Sequence, residues 1–147
     1  MFLLEIGFEY GYNICMSKQK KLLVVDDDPN IVQLIKNRLT HAGYLIETAE
    51  NGEEALERYH KALESMPYDL ILLDLMMPGI HGMDVLKKIR GEEAVSNINS
   101  EDKAKIVILT AYTESKAATL LHGANDNCDK PFSAEVLLPK IETTLNS

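Results

Sequence analysis

Only two of the 147 residues are cysteines, Cys15 and Cys128. They are far apart and show none of the CxxC or Cys/His spacings that hold zinc or carry redox chemistry. No disulfide framework is expected, and a reducing cytoplasmic setting fits best. Basic residues are also in deficit: 15 Lys and Arg against 23 Asp and Glu give a net charge of -8. Binding to a phosphate backbone needs clustered cations, so nucleic acid is not an expected partner. The one basic cluster, Lys18, Lys20 and Lys21, reads as a solvated lead-in. No uninterrupted apolar run approaches the ~18 residues of a membrane helix, so no membrane partner is expected either. There is no GxxxxGK or GxGxxG loop, which counts against a kinase or dehydrogenase. His41, His60, His81 and His122 show no metal-ligand spacing and read as surface or helix residues.

What the sequence does contain is enough apolar material for one domain. A hydrophobic content of 46% argues against disorder. A chain of this length buries roughly 68–70% of its unfolded surface in one core, so it needs no disulfide or metal to fold. Residues 1–19 read as an N-terminal extension and 20–147 as the single domain. The opening MFLLEIGFEYGYNIC lacks the basic start of a signal peptide, and Glu5 and Glu9 interrupt its apolar run. Met16 begins a more ordinary opening, so residues 1–15 are read as an upstream extension or a mis-assigned start. An amphipathic docking segment is the rival reading.

From residue 22 onward, short apolar runs alternate with segments of helical period, the pattern of a parallel α/β sheet. LLVV (22–25), a short run at 45–48, LILL (70–73) and IVIL (106–109) are predicted strands. The first helix is predicted on Ile31, Leu34, Ile35 and Leu39, ended by Gly43. The second places Ala55, Leu56, Tyr59 and Leu63 in the core and leaves Glu53, Glu54 and Lys61 solvated. Val85, Leu86 and Ile89 carry the third, and Ala117, Ala118, Leu120 and Leu121 the fourth, ended by Gly123. The polar stretch 91–104 is expected to be a long loop. NDNCDKPF is too polar for a strand on propensity, and a fifth strand is placed there because the alternation requires one. The last helix runs from Ser133, as N-cap, through Val136, Leu137, Ile141 and Leu145, with Pro139 expected to kink or shorten it.

In open α/β sheets the ligand site lies outside the carboxyl ends of the strands. The first strand runs into Asp26, Asp27 and Asp28, the third into Asp74, the fourth into Thr110 and the presumed fifth into Lys130. Asp28 precedes Pro29, the pairing of a helix N-cap with Pro at the first helical position, and is read as a cap. Asp26, Asp27 and Asp74 then surround one point, where unpaired carboxylates raise one another's pKa. A hard divalent cation relieves that repulsion, and oxygen-only ligands suit Mg2+. A metal beside a hydroxyl and an ammonium is equipment for a phosphoryl group, with one carboxylate available as nucleophile. Asp74, ending a central strand, is the best-placed candidate. The methionines at 76, 77 and 83 read as loop and core packing.

VVDDDP (24–29), LILLDLMMPG (70–79), VILTA (107–111) and DKPF (129–132) resemble, in this order and at these separations, the receiver domain of two-component response regulators. The likeness covers about residues 20–146 and is to the stand-alone, chemotaxis-type receiver. It implies a doubly wound, flavodoxin-like, five-stranded parallel sheet in the order 2-1-3-4-5 with five flanking helices. It also implies that Asp74 is the phosphoacceptor, Asp27 a direct Mg2+ ligand, Asp26 a ligand largely through water, and Met76 the source of a backbone carbonyl ligand. Thr110 matches the switch hydroxyl and Lys130 the residue that pairs with the phosphoryl group. A cis Lys130–Pro131 peptide is implied as well, aiming the lysine into the pocket.

The implied chemistry is transfer of a phosphoryl group from a phosphohistidine, on a sensor histidine kinase or phosphotransfer protein, to Asp74, with later hydrolysis by water. The implied protein is a signalling module rather than an enzyme, one that assists its own phosphorylation and dephosphorylation. It would be a monomer or weak dimer whose unknown downstream protein reads the face of the fourth helix, fifth strand and fifth helix. The chain ends about a helix after DKPF, so protein contact rather than a DNA-binding segment is the expected output. A Mg-dependent aspartyl-phosphate phosphatase is the alternative, but it would want an Asp where Met76 stands; a receiver fragment of a hybrid kinase or transcription factor is another. Two positions depart from the family. Asn127 stands where receivers usually carry an aromatic residue, and Pro139 lies in the last helix. Met76 and Tyr112 flank the expected water path without a carboxylate or amide, which implies a long-lived phosphoaspartate.

Overall fold

The computed structural model of the chain describes residues 19–77, 79–111 and 115–147. Strand and helix alternate: β1 (Lys21–Val25), α1 (Pro29–His41), β2 (Leu45–Ala49), α2 (Gly52–Leu63), β3 (Leu70–Asp74), α3 (Gly82–Val95), β4 (Lys105–Thr110), α4 (Ser115–Leu121), β5 (Asp126–Asp129) and α5 (Ala134–Leu145). The strands form one sheet in the order β2-β1-β3-β4-β5, and every pairing is parallel. This is the doubly wound arrangement that the motifs implied.

The near-continuous apolarity of β1, β3 and β4 follows from burial on both sheet faces. Alternate side chains serve two cores. Leu23, Val25, Ile71, Leu73, Ile106 and Ile108 pack with α2 and α3. Leu22, Val24, Leu70, Leu72, Val107 and Leu109 pack with Ile35 and Leu39 of α1 and with Leu137 and Ile141 of α5. Each fully buried leucine or isoleucine contributes about 1.5–3 kcal/mol, so these central strands fix the platform on which the site stands.

Helix ends follow local chemistry. Asp28 Oδ1 accepts the Asn30 N–H at 2.9 Å and Pro29 opens α1, as the sequence indicated. Asn51 caps α2 by accepting the Glu54 N–H, and Glu54 reaches back to the Glu50 N–H, so Glu54 holds the helix start rather than being merely solvated. Gly43, at φ +102°, terminates α1 in a left-handed turn in which the Tyr44 N–H donates to Leu39 O at 3.1 Å.

Several expectations are corrected. The segment 91–95 continues α3, and Ser100–Asp102 form a short 3-10 turn, so the long loop reduces to brief connections. Helix α5 continues past the exposed Pro139 to Leu145, so the proline does not shorten it. Ser133 occupies the cap position of α5 without a side-chain cap bond. Leu63 and Leu34 are half-exposed rather than core. Lys21 is buried at the start of β1, where its Nζ donates to Met66 O at 2.8 Å and lies over the Tyr68 ring. Lys18, Cys15 and Tyr112 lie outside the described residues.

Candidate functional site

Parallel register sets the positions. Val25 pairs with Leu73, so Asp26 and Asp74 follow at the same level of neighbouring strands. Asp74 pairs with Leu109, which puts Thr110 one residue further on. Thr110 pairs with Asp129, and Lys130 comes next. The five groups picked out at the strand ends therefore emerge along one edge of the sheet.

Their side chains are held individually. Asp26 is buried and its N–H donates to Ala49 O at 3.2 Å. Its Oδ1 accepts the Asp28 N–H at 2.9 Å, while Oδ2 accepts Lys130 Nζ at 2.8 Å. Asp74 is also buried; its Oδ1 lies 3.3 Å from Lys130 Nζ and accepts the Met76 N–H at 3.4 Å. Asp27 is exposed at the rim. Carboxylate oxygens of Asp26, Asp27 and Asp74 all lie within 4.8 Å of one another. Thr110 is buried at the end of β4, where its carbonyl accepts the Lys130 N–H at 2.9 Å. The Lys130–Pro131 peptide is cis.

Three carboxylates face one ammonium. Burial, and then the neighbouring Asp26 charge, push the Asp74 carboxyl up to about 6, against the opposing pull of Lys130 and the Met76 N–H. Burial alone would lower the Lys130 pKa, but its hydrogen bond to Asp26 and the Asp74 charge raise it. The lysine lies closer to Asp26 than to Asp74, which explains why Asp74 stays raised beside a cation. An excess of negative charge in an oxygen-only donor set is an environment that fits a hard divalent cation. Such a pocket also suits a phosphoryl group, with a carboxylate nucleophile and a cationic partner for its oxygens.

One positioning residue escaped the sequence reading. Gly82, at the start of α3, donates its N–H to Leu75 O at 3.0 Å. A Cβ there would meet Asp74 O at 2.2 Å and Leu75 Cα at 2.8 Å, so α3 closes on the loop after Asp74 only because residue 82 has no side chain. The available signal was a glycine at a helix start just beyond the strand-end aspartate. Met76 turns its side chain toward solvent. Asn127 is buried on β5.

Comparison with known proteins agrees with this geometry. The family model described as "Response regulator receiver domain" matches residues 22–142. Response regulator ArlR of Staphylococcus aureus is 37% identical over 127 residues, which are 85% of this chain and 52% of ArlR. The chain thus spans about half the length of the curated relatives it matches. Among solved structures, chemotaxis protein CheY4 of Vibrio cholerae is 32% identical with a TM-score of 0.73, covering 86% of this chain and 99% of that one. The response regulator TrrA of Thermotoga maritima, in complex with Mg(2+)-BeF, is 40% identical with a TM-score of 0.69, covering 86% and 99%. The fold, the four strand-end motifs and these matches agree: the chain belongs to the response regulator receiver family.

Proposed function

We propose that Asp74 is the phosphoacceptor of this receiver, taking a phosphoryl group from a phosphohistidine on a sensor kinase or phosphotransfer protein. The observation that carries this reading is the burial of Asp74 between Lys130, 3.3 Å away, and the Asp26 and Asp27 carboxylates. A carboxylate oxygen of Asp74 attacks phosphorus while the P–N bond breaks, and its electron pair leaves with the imidazole. Hydrolysis then clears the group: water attacks phosphorus and forms a new P–O bond, the P–O bond to Asp74 breaks, and the carboxylate and inorganic phosphate are released. Asp26, Asp27, Asp74 and the Met76 carbonyl are the groups that would hold Mg2+, which when bound supplies positive charge against the phosphoryl oxygens. Lys130 pairs with a phosphoryl oxygen and Thr110 donates its hydroxyl to another. Residues 20–147 form the receiver, and 1–19 stand outside it.

Phosphorylation biases a two-state equilibrium, and the product is a signal read by protein contact. The exposed apolar residues Leu120, Leu121 and Val136 on α4 and α5 support that face as the readout surface. A phosphotransfer profile against purified sensor kinases tests the reading. One kinase should label the wild-type chain strongly and leave Asp74→Ala unlabelled; equal labelling of both contradicts it. A second reading, the receiver portion of a longer regulator, is favoured by the coverage of only 52% of ArlR. The intact mass of the protein purified from its native source separates the two.

A further inference from the structure

The stretch between Asp74 and α3 is confined from two sides. On one side Gly82 lets α3 close on it. On the other it meets the first turn of α2. A Cβ on Gly52 would stand 2.8 Å from Ile80 O, 2.9 Å from Ile80 Cβ and 3.0 Å from Val85 Cγ2. Glu53 lies over the same stretch, because a Cβ on Gly79 would meet its carboxylate oxygens at 3.2 and 3.3 Å. Gly52 has no left-handed φ, so it is space rather than backbone angle that excludes a side chain there.

Helix α2 has little room to retreat. Ala55, Leu56 and Tyr59 seal it onto the core, in which Met77 is also buried and against which Ile80 packs. Close packing on the α2 side leaves the stretch after Asp74 to take up any added volume. That stretch carries Met76, whose carbonyl is one of the groups assigned to Mg2+. The chain entering α2 also touches the other half of the pocket: Ala49 O accepts the Asp26 N–H at 3.2 Å. Residues 49–52 therefore support both the aspartate end of β1 and the stretch that follows Asp74, as the outer layer of a metal site supports its ligands.

We propose that Gly52 is a positioning residue for the metal site: by letting α2 close on Ile80, it fixes the stretch that carries the Met76 carbonyl relative to Asp26 and Asp27. This rests on the reading of Asp26, Asp27, Asp74 and the Met76 carbonyl as the groups that hold Mg2+. The test titrates the full chain with MgCl2 alone by calorimetry. In EDTA it also follows hydrogen exchange at the Gly82 amide, which donates to Leu75 O across the base of the stretch. Gly52→Ala should weaken Mg2+ binding several-fold, and should speed exchange at Gly82 by a larger factor than at the Leu72 amide inside β3. Gly91→Ala is the control, because a Cβ there meets nothing within 4 Å; it should leave Mg2+ binding and Gly82 protection intact. Wild-type Mg2+ affinity in Gly52→Ala overturns the proposal. So does exchange that speeds equally at Gly82 and Leu72, the sign of a merely destabilised fold, and so does equal weakening of Mg2+ binding in Gly91→Ala. A wild-type chain that binds no Mg2+ overturns the metal reading itself, and the proposal falls with it. If Gly52→Ala does not fold, Ile80→Gly frees the stretch from its own side, and unchanged Mg2+ affinity in that variant overturns the proposal.

Discussion

Lys130 Nζ lies 2.8 Å from Asp26 Oδ2, inside the pocket that also holds Asp74. The lysine is thus first the partner of Asp26, whose side chain is fully buried, and only secondarily that of Asp74 at 3.3 Å. The pocket pairs the lysine most closely with Asp26 and leaves Asp74 strained, chiefly by burial and then by the Asp26 charge.

Relief of that strain should be measurable. The Asp74 carboxyl sits at about 6 in the folded chain against 3.8 as its ordinary value. Between those values the folded state binds more protons than the unfolded state, so stability falls as pH rises through the window. Above it the buried charge costs up to ~3 kcal/mol. Asp74→Asn in EDTA should therefore raise the melting temperature at pH 7.5. The gain should shrink as pH falls below about 6 and vanish near 3.8. Thermal melts across that range check the sign.

Removing the lysine should act in the opposite direction. Lys130→Met leaves Asp26 buried beside Asp74 with no cation, a change expected to cost about 3–5 kcal/mol in EDTA. Millimolar Mg2+ should recover more stability in this variant than in the wild type, because binding to the folded state adds stability. Denaturant melts with and without the metal give the comparison.

Away from the pocket, Arg90 holds a buried carboxylate. Its Nη1 lies 2.6 Å from Glu93 Oε1, its Nε donates to Gly123 O at 2.9 Å, and its Nη2 donates to Asn125 Oδ1 at 2.9 Å. Glu93 Oε2 also accepts the Ala104 N–H at 3.1 Å. Arg90→Met should destabilise the chain by about 3–5 kcal/mol, and adding Glu93→Leu should recover part of that loss, because the stranded charge is removed. Chemical denaturation of the single and double variants tests it.

That cluster shows where the sequence stops being legible. Val85, Leu86 and Ile89 announce α3, but its next core position holds Glu93, so the apolar period ends a turn before the helix does. Likewise β5 reads as polar because Asn127 and Asp129 face bonding partners on α4 rather than apolar core. Strands β1, β3 and β4 were legible because burial on both faces demands continuous apolarity. The carboxylates were legible because strand ends are where an α/β sheet places ligands. Gly82 was not, because its role depends on how closely α3 approaches the chain after Asp74.

The lifetime of the phosphorylated state should reflect Met76. Its side chain is half-exposed just beyond Asp74 and offers no carboxylate or amide to orient water. Slow loss of label from the isolated chain is expected, and Met76→Asn should shorten it several-fold. Rapid loss from the wild type would contradict this.

The most direct measurement is chemical mapping of the phosphoryl group. After phosphotransfer, borohydride reduces an acyl phosphate to the corresponding alcohol, and peptide mass spectrometry locates the altered residue. Reduction confined to Asp74, absent from the unphosphorylated chain, is the expected result. Reduction at Asp26, Asp27 or another site, or none despite stable labelling, would contradict the assignment of Asp74 as the phosphoacceptor.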